Sequence, residues 1–584
     1  MPRTPAGGRL PHGPRRVPGV RRPVVLATAL GVVALTGVAG CAVPPPPGTP
    51  AAGAPATTMS SPPSPVTTTL PATAGPAHPV ATSRARPRTN AAVRRVRGTV
   101  VRVSVESDAA RGASGDGREA AVETWIRTRT GRVKVRTSSL ASAPTGSMVD
   151  ADVASPPTTE VTPPTGSGGA VAAAESGGEV VAARVTGTAP EPALRAAVHD
   201  VTVVLAAPAG TKPDATTPAQ LAAAVSGPVS RFWSAQTAGR VRWRVVRSVG
   251  WLRLRSRCDD VWSLWGEAAL RSGFVPGRDR HLLVLVPATA SACYAGLGTI
   301  GASSDAGGYA YVRGTLAGLV AHELGHNLGL GHSNGLQCDG VADGAWTGTR
   351  WTKGCVRTGY RDWYDVMGVS WEHLGTLSTA QAWRLGALPA AQVTTVAAPG
   401  AVTLTAVGLG SGVRSLRVAD PAGGTYVVEY RAAVGADAWL ASDWRGLRPG
   451  VLVRRDDAQD GAGQTLLLDG SPSPAARFAA DWDEPVPAGG SLTTAGGRVV
   501  LRVLGLTATT AQVEVDVDGV GPGGATGVPG RSADGSNRVV RRAPVLLPAP
   551  SVSPDPSASP GPSASPAPST GGELPRRPIR TPTR

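Results

Sequence analysis

The sequence predicts a multidomain protein. Its central part is an α/β (α+β) domain with a mixed sheet, flanked by a small antiparallel β-barrel and a C-terminal antiparallel β-sandwich, with disordered Pro-rich ends. Three observations predict this fold class. Strand and helix signals alternate between residues 191 and 395. Short segments that alternate apolar and polar side chains precede them at 98–187, and seven short strand signals follow at regular spacing within 396–520.

The two ends of the chain differ from this central part in composition and charge. Residues 41–97 and 521–584 consist mainly of Pro, Ala, Thr, Ser and Gly, so we expect a disordered linker and a disordered tail. The first 98 residues hold 12 Arg and no acidic residue, and the last 64 hold eight Arg against three acidic residues. The net charge of +17 therefore lies outside residues 99–520. A neutral core argues against a specific nucleic-acid partner.

The N-terminus has the pattern of an export signal. Residues 1–22 carry six Arg, 23–40 are uncharged and largely apolar, and the run ends Gly37-Val38-Ala39-Gly40-Cys41. Small residues before a single Cys resemble the bacterial lipoprotein cleavage site. This predicts a signal peptide over 1–40, lipidation of Cys41, and a protein anchored to the outer face of the bacterial cell membrane. The alternatives are ordinary signal cleavage, which would give a secreted protein, and an uncleaved anchor. The sequence is compatible with export by either the general secretory route or the twin-arginine route.

Between residues 98 and 187 the alternation predicts the strands of the small barrel, with a hairpin turn at Thr130-Gly131 and a disordered insertion at 155–178. In the following domain, Thr217-Pro218 predicts a helix start. The nearly all-apolar segment His281–Val286 predicts a central strand. Two Gly-containing strand signals then lead to a helix for which Thr315 is a plausible N-cap.

That helix carries the motif around which the chain is organised, His-Glu-Leu-Gly-His-Asn-Leu-Gly-Leu-Gly-His at 322–332. His322 and His326 are one helical turn apart, so both imidazoles can bind one metal ion. Gly329 lets the backbone leave the helix, which brings His332 round as a third ligand. Three nitrogen ligands leave one position open for water, as in catalytic zinc sites, and Glu323 is placed to take a proton from that water.

The motif resembles the H-E-x-x-H-x-x-G-x-x-H signature of the metzincin zinc metallopeptidases. Tyr364-Asp365-Val366-Met367-Gly368 is similar to the methionine turn of that clan, although Met367 could also be an ordinary core methionine. This turn and Trp383-Arg384-Leu385-Gly386 resemble the gametolysin-like family most. The resemblance implies a zinc-dependent endopeptidase with one catalytic Zn²⁺ and a protein or peptide substrate. Val369 occupies the position where some metzincins have a fifth ligand, a Tyr.

The resemblance also implies how substrate would bind. The strand that precedes the last strand before the metal helix is an antiparallel edge in metzincins, so Ala295–Thr299 would bind peptide main chain, with Gly296, Leu297 and Gly298 as substrate-binding residues. Alternatively, the two glycines only relieve twist at an edge. Residues 98–187 would be a propeptide or a packing module. Because no Cys lies between Cys41 and Cys258, a propeptide thiol that blocks the metal is excluded.

Four cysteines remain after Cys41, and an even number in an exported chain predicts two disulfides. We expect the pairs Cys258–Cys293 and Cys338–Cys355. The sequence has no C-x-x-C spacing, so a second zinc site made from cysteines is not expected.

Two other functional classes stay open. The protein could be a non-catalytic surface lipoprotein that binds cell-wall or extracellular polymers, with the metal only stabilising the fold. It could also be a zinc hydrolase of a non-peptide amide. The intact Glu323 favours a peptidase, because a structural metal site does not need that carboxylate. We expect a monomer.

Overall fold

The computed structural model describes residues 93–106, 121–154, 177–187, 194–348, 350–443, 445–457, 463–475 and 481–517. The signal segment, Cys41, most of the linker and the tail lie outside these residues, as does most of the insertion at 155–178. The first described strand begins at Val93, five residues before the predicted start of order at Gly98.

A ten-stranded sheet forms the N-terminal half of the described fold, with the path β3-β2-β1-β9-β10-β8-β6-β7; β4 also pairs with β1, and β5 pairs with β4. Its first five strands are β1 Val93–Glu106, β2 Ala121–Arg127, β3 Arg132–Val135, β4 Met148–Ala154 and β5 Glu179–Gly187. The other five are β6 Ala197–Ala207, β7 Val241–Arg253, β8 Arg280–Leu285, β9 Gly296–Ile300 and β10 Gly308–Val312. Strands β7, β6, β8 and β10 are parallel to one another, and β9 is antiparallel to β10. The predicted central strand is therefore β8, between β6 and β10.

The predicted barrel is wrong in the described part of the chain. Strands β5-β4-β1-β2-β3 are antiparallel neighbours, but β3 meets only Gly178, the residue before β5, at the isolated bridge Val135–Gly178, so the barrel does not close. These strands also do not form a separate unit. The second half of β1 pairs with β9, from Arg102 opposite Ile300 to Glu106 opposite Gly296, which joins the N-terminal strands to the sheet of the α/β part.

The described residues form five α-helices: α1 Pro218–Ala224, α2 Ser230–Gln236, α3 Val261–Ser272, α4 Ala317–Asn327 and α5 Thr379–Arg384. The first four pack on the faces of this sheet, and α5 packs against the strand Thr425–Arg431 of the C-terminal part. Thr217 caps α1 as predicted, in a reciprocal capping box with Gln220. The N-cap of α4 is Leu316 rather than Thr315. Apolar clusters cover both sheet faces, one including α4 and the other including α3. Within the described residues, no helix combines the length and apolarity needed to cross a bilayer.

The C-terminal part consists of two sheets that share one apolar core. A seven-stranded sheet has the order β12-β11-β18-β17-β16-β15-β13, and a four-stranded antiparallel sheet has the order β14-β21-β20-β19. Their strands are β11 Ser333–Cys338, β12 Cys355–Thr358, β13 Val393–Val396, β14 Gly400–Thr405, β15 Ser415–Ala419, β16 Thr425–Arg431, β17 Gly450–Asp457, β18 Gln464–Leu468, β19 Ser491–Thr493, β20 Val499–Leu506 and β21 Thr510–Val517. The prediction of an antiparallel sandwich is only partly right, because β11 with β18 and β13 with β15 are parallel pairs. Strand β11 starts directly after His332, so the metal motif leads into this sheet.

Candidate metal centre

Helix α4 supplies two of the predicted ligands. His322 and His326 are fully buried, and their Nε2 atoms are 3.0 Å apart. Asn327 anchors the end of the helix, because its Nδ2 donates to the carbonyl oxygens of Thr299 at 2.9 Å and Tyr309 at 3.1 Å. Gly329 follows with a φ of +97°, a conformation that other residues adopt only at a cost.

The third ligand is positioned by the C-terminal sheet. The carbonyl oxygen of His332 accepts a hydrogen bond from Thr465 N at 2.9 Å, and the next residue begins β11, which pairs with β18. The backbone at His332 is therefore fixed by strands that come more than 130 residues later in the chain. Its ring centroid lies 4.8 Å from that of His326 and 5.4 Å from that of His322. The turn thus brings the three predicted histidines together.

A fourth side chain, which the sequence did not suggest, enters the same point from β1. Glu106 Oε1 lies 3.3 Å from His322 Nε2, 3.1 Å from His326 Nε2 and 2.7 Å from His332 Nε2. All four side chains are fully buried, and one ligand atom from each lies within 4.8 Å of the others. Glu106 is the first acidic residue of the chain, which is the only weak signal that the sequence offered for it.

The donor set fits a metal ion. His322 Nδ1 lies 2.7 Å from the carbonyl oxygen of Val366, and His326 Nδ1 lies 2.8 Å from that of Leu330. A carbonyl can only accept, so each Nδ1 carries the proton and each Nε2 presents a lone pair to the centre. The distances from Glu106 Oε1 to the three Nε2 atoms and between the Nε2 atoms of His322 and His326 are 2.7–3.3 Å. These are near the value of about 3.3 Å expected between ligands of one tetrahedral ion.

Burial keeps two of the histidines in the form that binds metal. It is the largest influence on the pKa of His332, which falls to about 3, and it also lowers the pKa of His326. These two residues therefore present neutral imidazoles, as a divalent ion requires.

Glu323 lies on the same helix, packed against β9. Among the described residues neither of its carboxylate oxygens has a hydrogen-bond donor, and Glu106 Oε2 also has none. Burial, followed by the neighbouring Glu106 charge, raises the pKa of Glu323 well above its usual range. A buried carboxylate without a donor is costly. Such a group is expected where it serves chemistry rather than stability.

Gly296 and Gly298 make room for this arrangement. A Cβ at Gly296 would collide with Glu323 Oε1, and a Cβ at Gly298 would come within 3.0 Å of Glu323 Oε2 and 3.1 Å of His326 Cβ. These glycines therefore allow β9 and α4 to approach closely, which explains them better than relief of twist. Gly296, Leu297 and Gly298 pair with Glu106, Val105 and Ser104 of β1, so the predicted edge is not free in the full chain.

Met367 lies beneath the metal helix. It is fully buried, and its Sδ would be 2.5 Å from a Cβ placed at Gly325, so it fills the space that this glycine leaves. Asp365 holds the turn by accepting from Met367 N at 3.0 Å and from Ser378 N at 3.2 Å. Since Val366 in the same turn orients His322, the segment supports the site directly. An ordinary core methionine would not need this connection.

Two further residues near the metal centre were missed by sequence reasoning. Tyr360 has a φ of +59°, its ring centroid lies 4.4 Å from that of His332, and its hydroxyl donates to the carbonyl oxygen of Val105. The hydroxyl of Ser104 lies 2.7 Å from His332 Nε2. A lone Tyr outside the motif and a Ser on an alternating strand carry no signal in the sequence.

Both predicted disulfides are present. Cys258 pairs with Cys293, and Cys338 pairs with Cys355. The first joins the start of α3 to the loop before β9, and the second links β11 to β12. Each disulfide closes a loop, of 35 and 17 residues respectively, and so stabilises the fold mainly by constraining the unfolded chain.

No family model matches the chain, and no curated protein matches it. Among solved structures, the chain is similar to catalytically inactive OgpA from Akkermansia muciniphila, in complex with an O-glycopeptide substrate, glycodrosocin. That match has a TM-score of 0.20 and 11% sequence identity, and it covers 41% of this chain and 71% of that chain. A likeness this distant carries no information on activity, so function has to be inferred from the geometry of the metal centre.

Proposed function

We propose that this protein is a zinc-dependent endopeptidase of the metzincin type. The observation that carries the proposal is the meeting of three imidazole Nε2 atoms at one point, next to a buried carboxylate without a donor. His322, His326 and His332 would hold the ion, for which imidazole is a preferred ligand. A zinc ion bound there would polarise a peptide carbonyl and acidify a water molecule.

Residues of the chain would transfer the proton and bind the substrate. A carboxylate oxygen of Glu323 would accept the proton of the attacking water and return it to the leaving amine. Gly296, Leu297 and Gly298 of β9 would pair with the main chain of an extended peptide by strand addition, on the side of β9 that β1 occupies in this structure. The deep burial of the site would exclude bulk water and strengthen these interactions.

We also propose that the enzyme acts outside the cytoplasm, tethered by a lipid on Cys41, as a monomer. Two disulfides support an exported location, because cytosolic thiols are kept reduced. The Cys41→Ser variant should lose incorporation of radiolabelled palmitate and be recovered in the culture medium. Palmitate labelling of this variant at the wild-type level would exclude Cys41 as the anchor.

The test of the peptidase uses the Glu323→Gln variant, loaded with zinc and assayed on casein both intact and after limited proteolysis. We expect one zinc per chain and unchanged melting, with hydrolysis reduced about 10²- to 10⁴-fold. Glu514→Gln, in β21, is the matched control and should behave like the wild type. Wild-type hydrolysis by the Glu323→Gln variant would contradict the role of Glu323, and hydrolysis that survives 1,10-phenanthroline would contradict a metal enzyme.

One observation favours a second candidate. Glu106 supplies a fourth ligand, and a fully ligated ion is typical of a structural site. The protein would then be a non-catalytic surface lipoprotein whose β-sheets bind cell-wall or extracellular polymers. Absence of casein hydrolysis by every zinc-loaded form, with the ion retained, would favour this candidate.

A further inference from the structure

We propose that the N-terminal strands keep the metal centre latent. Glu106 occupies the ligand position that a reacting water would need, and β1 occupies the place of substrate on β9. This inference rests on the proposed peptidase function. It identifies the chain's own β1 as the occupant of the cleft and a glutamate as the blocking group.

The pairing of β1 with β9 shows this occupation most directly. Five residues of β1, Arg102–Glu106, pair antiparallel with Gly296–Ile300, and Ala295 N donates to the carbonyl oxygen of Glu106 at 2.9 Å. On its other side β9 pairs only with β10. Without β1, the side of β9 that faces the metal centre would therefore be an unpaired edge. An unpaired edge is the surface that binds extended peptide.

The side chains of β1 divide between the two faces of the sheet. Ser104 and Glu106 point to the imidazoles, with Ser104 Oγ 2.7 Å from His332 Nε2. Val103 and Val105 lie on the opposite face, buried in the apolar cluster that includes Leu297. Main-chain pairing, buried valines and a carboxylate at the metal position together hold β1 in the cleft.

Tyr360 adds a contact of the kind that a substrate would make. Its hydroxyl donates to the carbonyl oxygen of Val105, the residue before Glu106. A phenol beside a metal ligand, directed at a main-chain carbonyl, is placed to bind the carbonyl of a peptide on the same strand edge. Strand β1 therefore satisfies the main-chain and carbonyl-binding groups of the cleft without presenting a peptide bond to the metal position.

The docked state also contains an unfavourable arrangement. Glu106 and Glu323 are both fully buried, and three of their four carboxylate oxygens have no donor among the described residues. Buried polar atoms without a hydrogen-bond partner are costly. Departure of β1 removes Glu106 from this cluster and exposes the Glu323 carboxyl group to a water molecule.

The test uses the full chain loaded with Co²⁺, whose visible absorption reports the ligands, and acetohydroxamate as a small probe of an open metal position. We expect Glu106→Ala to bind acetohydroxamate at least about a hundredfold more tightly than the wild type, because a tethered competitor has been removed. Glu106→Gln keeps the shape of the side chain and should also bind acetohydroxamate more tightly than the wild type. If the alanine variant does not fold, the affinity of Glu106→Gln tests the proposal instead. Glu179→Gln, in β5 of the same strands, is the matched control.

The outcomes separate this inference from the peptidase proposal. Equal acetohydroxamate affinity in the wild type and both Glu106 variants overturns latency. Loss of cobalt from both variants also overturns it, since Glu106 would then be a permanent ligand. An open site with casein hydrolysis raised at least about a hundredfold supports both proposals. An open site without hydrolysis supports Glu106 as the blocking ligand and overturns the peptidase.

Discussion

Replacing Arg454 should destabilise the metal centre from the C-terminal sheet. Arg454, in β17, is fully buried, with its Nε 2.6 Å from Asp362 Oδ2 and its Nη1 2.7 Å from Glu429 Oε1. Asp362 lies five residues before Met367, so this ion pair connects the sheet to the turn beneath the metal helix. Burial raises the pKa of Glu429, but Arg454 and Arg431 outweigh it and bring that pKa to about 2. Arg454 is therefore a buried ion-pair partner of both carboxylates.

The magnitude follows from the burial of the pair. Arg454→Met keeps much of the side-chain volume, removes the guanidinium beside buried Asp362 and leaves Glu429 with Arg431 alone, which costs about 3–5 kcal/mol. Since 1 kcal/mol corresponds to about 2–4 °C in Tm for a domain of 150–250 residues, we expect a fall of roughly 6–20 °C. The assay is circular dichroism during heating of the zinc-loaded chain, with zinc release followed by a chromophoric chelator.

The matched control is Arg448→Met, which removes an exposed ion pair with Asp483, where the two side chains are 69% and 39% exposed. Such pairs contribute about 0–1 kcal/mol, so the control should melt within a few degrees of the wild type. Equal melting temperatures for the Arg454 and Arg448 variants would refute the reasoning that a buried charge network joins the sheet to the site.

Two further predictions concern close packing and pH. Gly298→Ala should weaken zinc binding and destabilise the fold by about 1–3 kcal/mol, because the added methyl group meets Glu323 and His326 at about 3 Å. Gly250→Ala, with open space around the added methyl group, is the control. Equal zinc affinity in both variants would contradict this packing argument. Burial lowers the pKa of His199 to about 4, so the unfolded chain binds a proton below pH 6.5 that the folded chain does not. Stability should therefore fall between pH 6.5 and 4 by about 1.4 kcal/mol per pH unit for this residue. Urea unfolding of His199→Asn should show a shallower fall, and identical slopes for variant and wild type would exclude the contribution of His199.

The features predicted correctly from the sequence depend on short-range periodicity. Four-residue spacing places His322 and His326 on one helix face, and Gly329 turns the chain toward His332. Thr217 caps its helix because the capping box is complete within four residues. The apolar run at 281–286 indicates a strand covered on both faces, which β8 is. Each of these signals is read within about ten residues.

The features that sequence reasoning missed depend on contacts between distant parts of the chain. Alternation in β1 indicates a strand with a polar face, and a polar face usually meets solvent. Here it meets the metal centre, 216 residues away between Glu106 and His322. The wrong prediction of a barrel has the same origin, because alternation indicates a strand but does not specify its partner strand. Nothing local showed that β11 would join β18 and so position His332.

The most direct test of the metal centre is X-ray absorption at the zinc edge of the zinc-loaded full chain. The geometry predicts three imidazole nitrogens at about 2.0–2.1 Å and one oxygen at about 2.0–2.2 Å. Glu106→Ala should keep the three imidazoles and exchange the carboxylate for solvent. A sulfur ligand, or fewer than three imidazoles in the wild-type spectrum, would contradict the assignment of His322, His326 and His332 as the ligands.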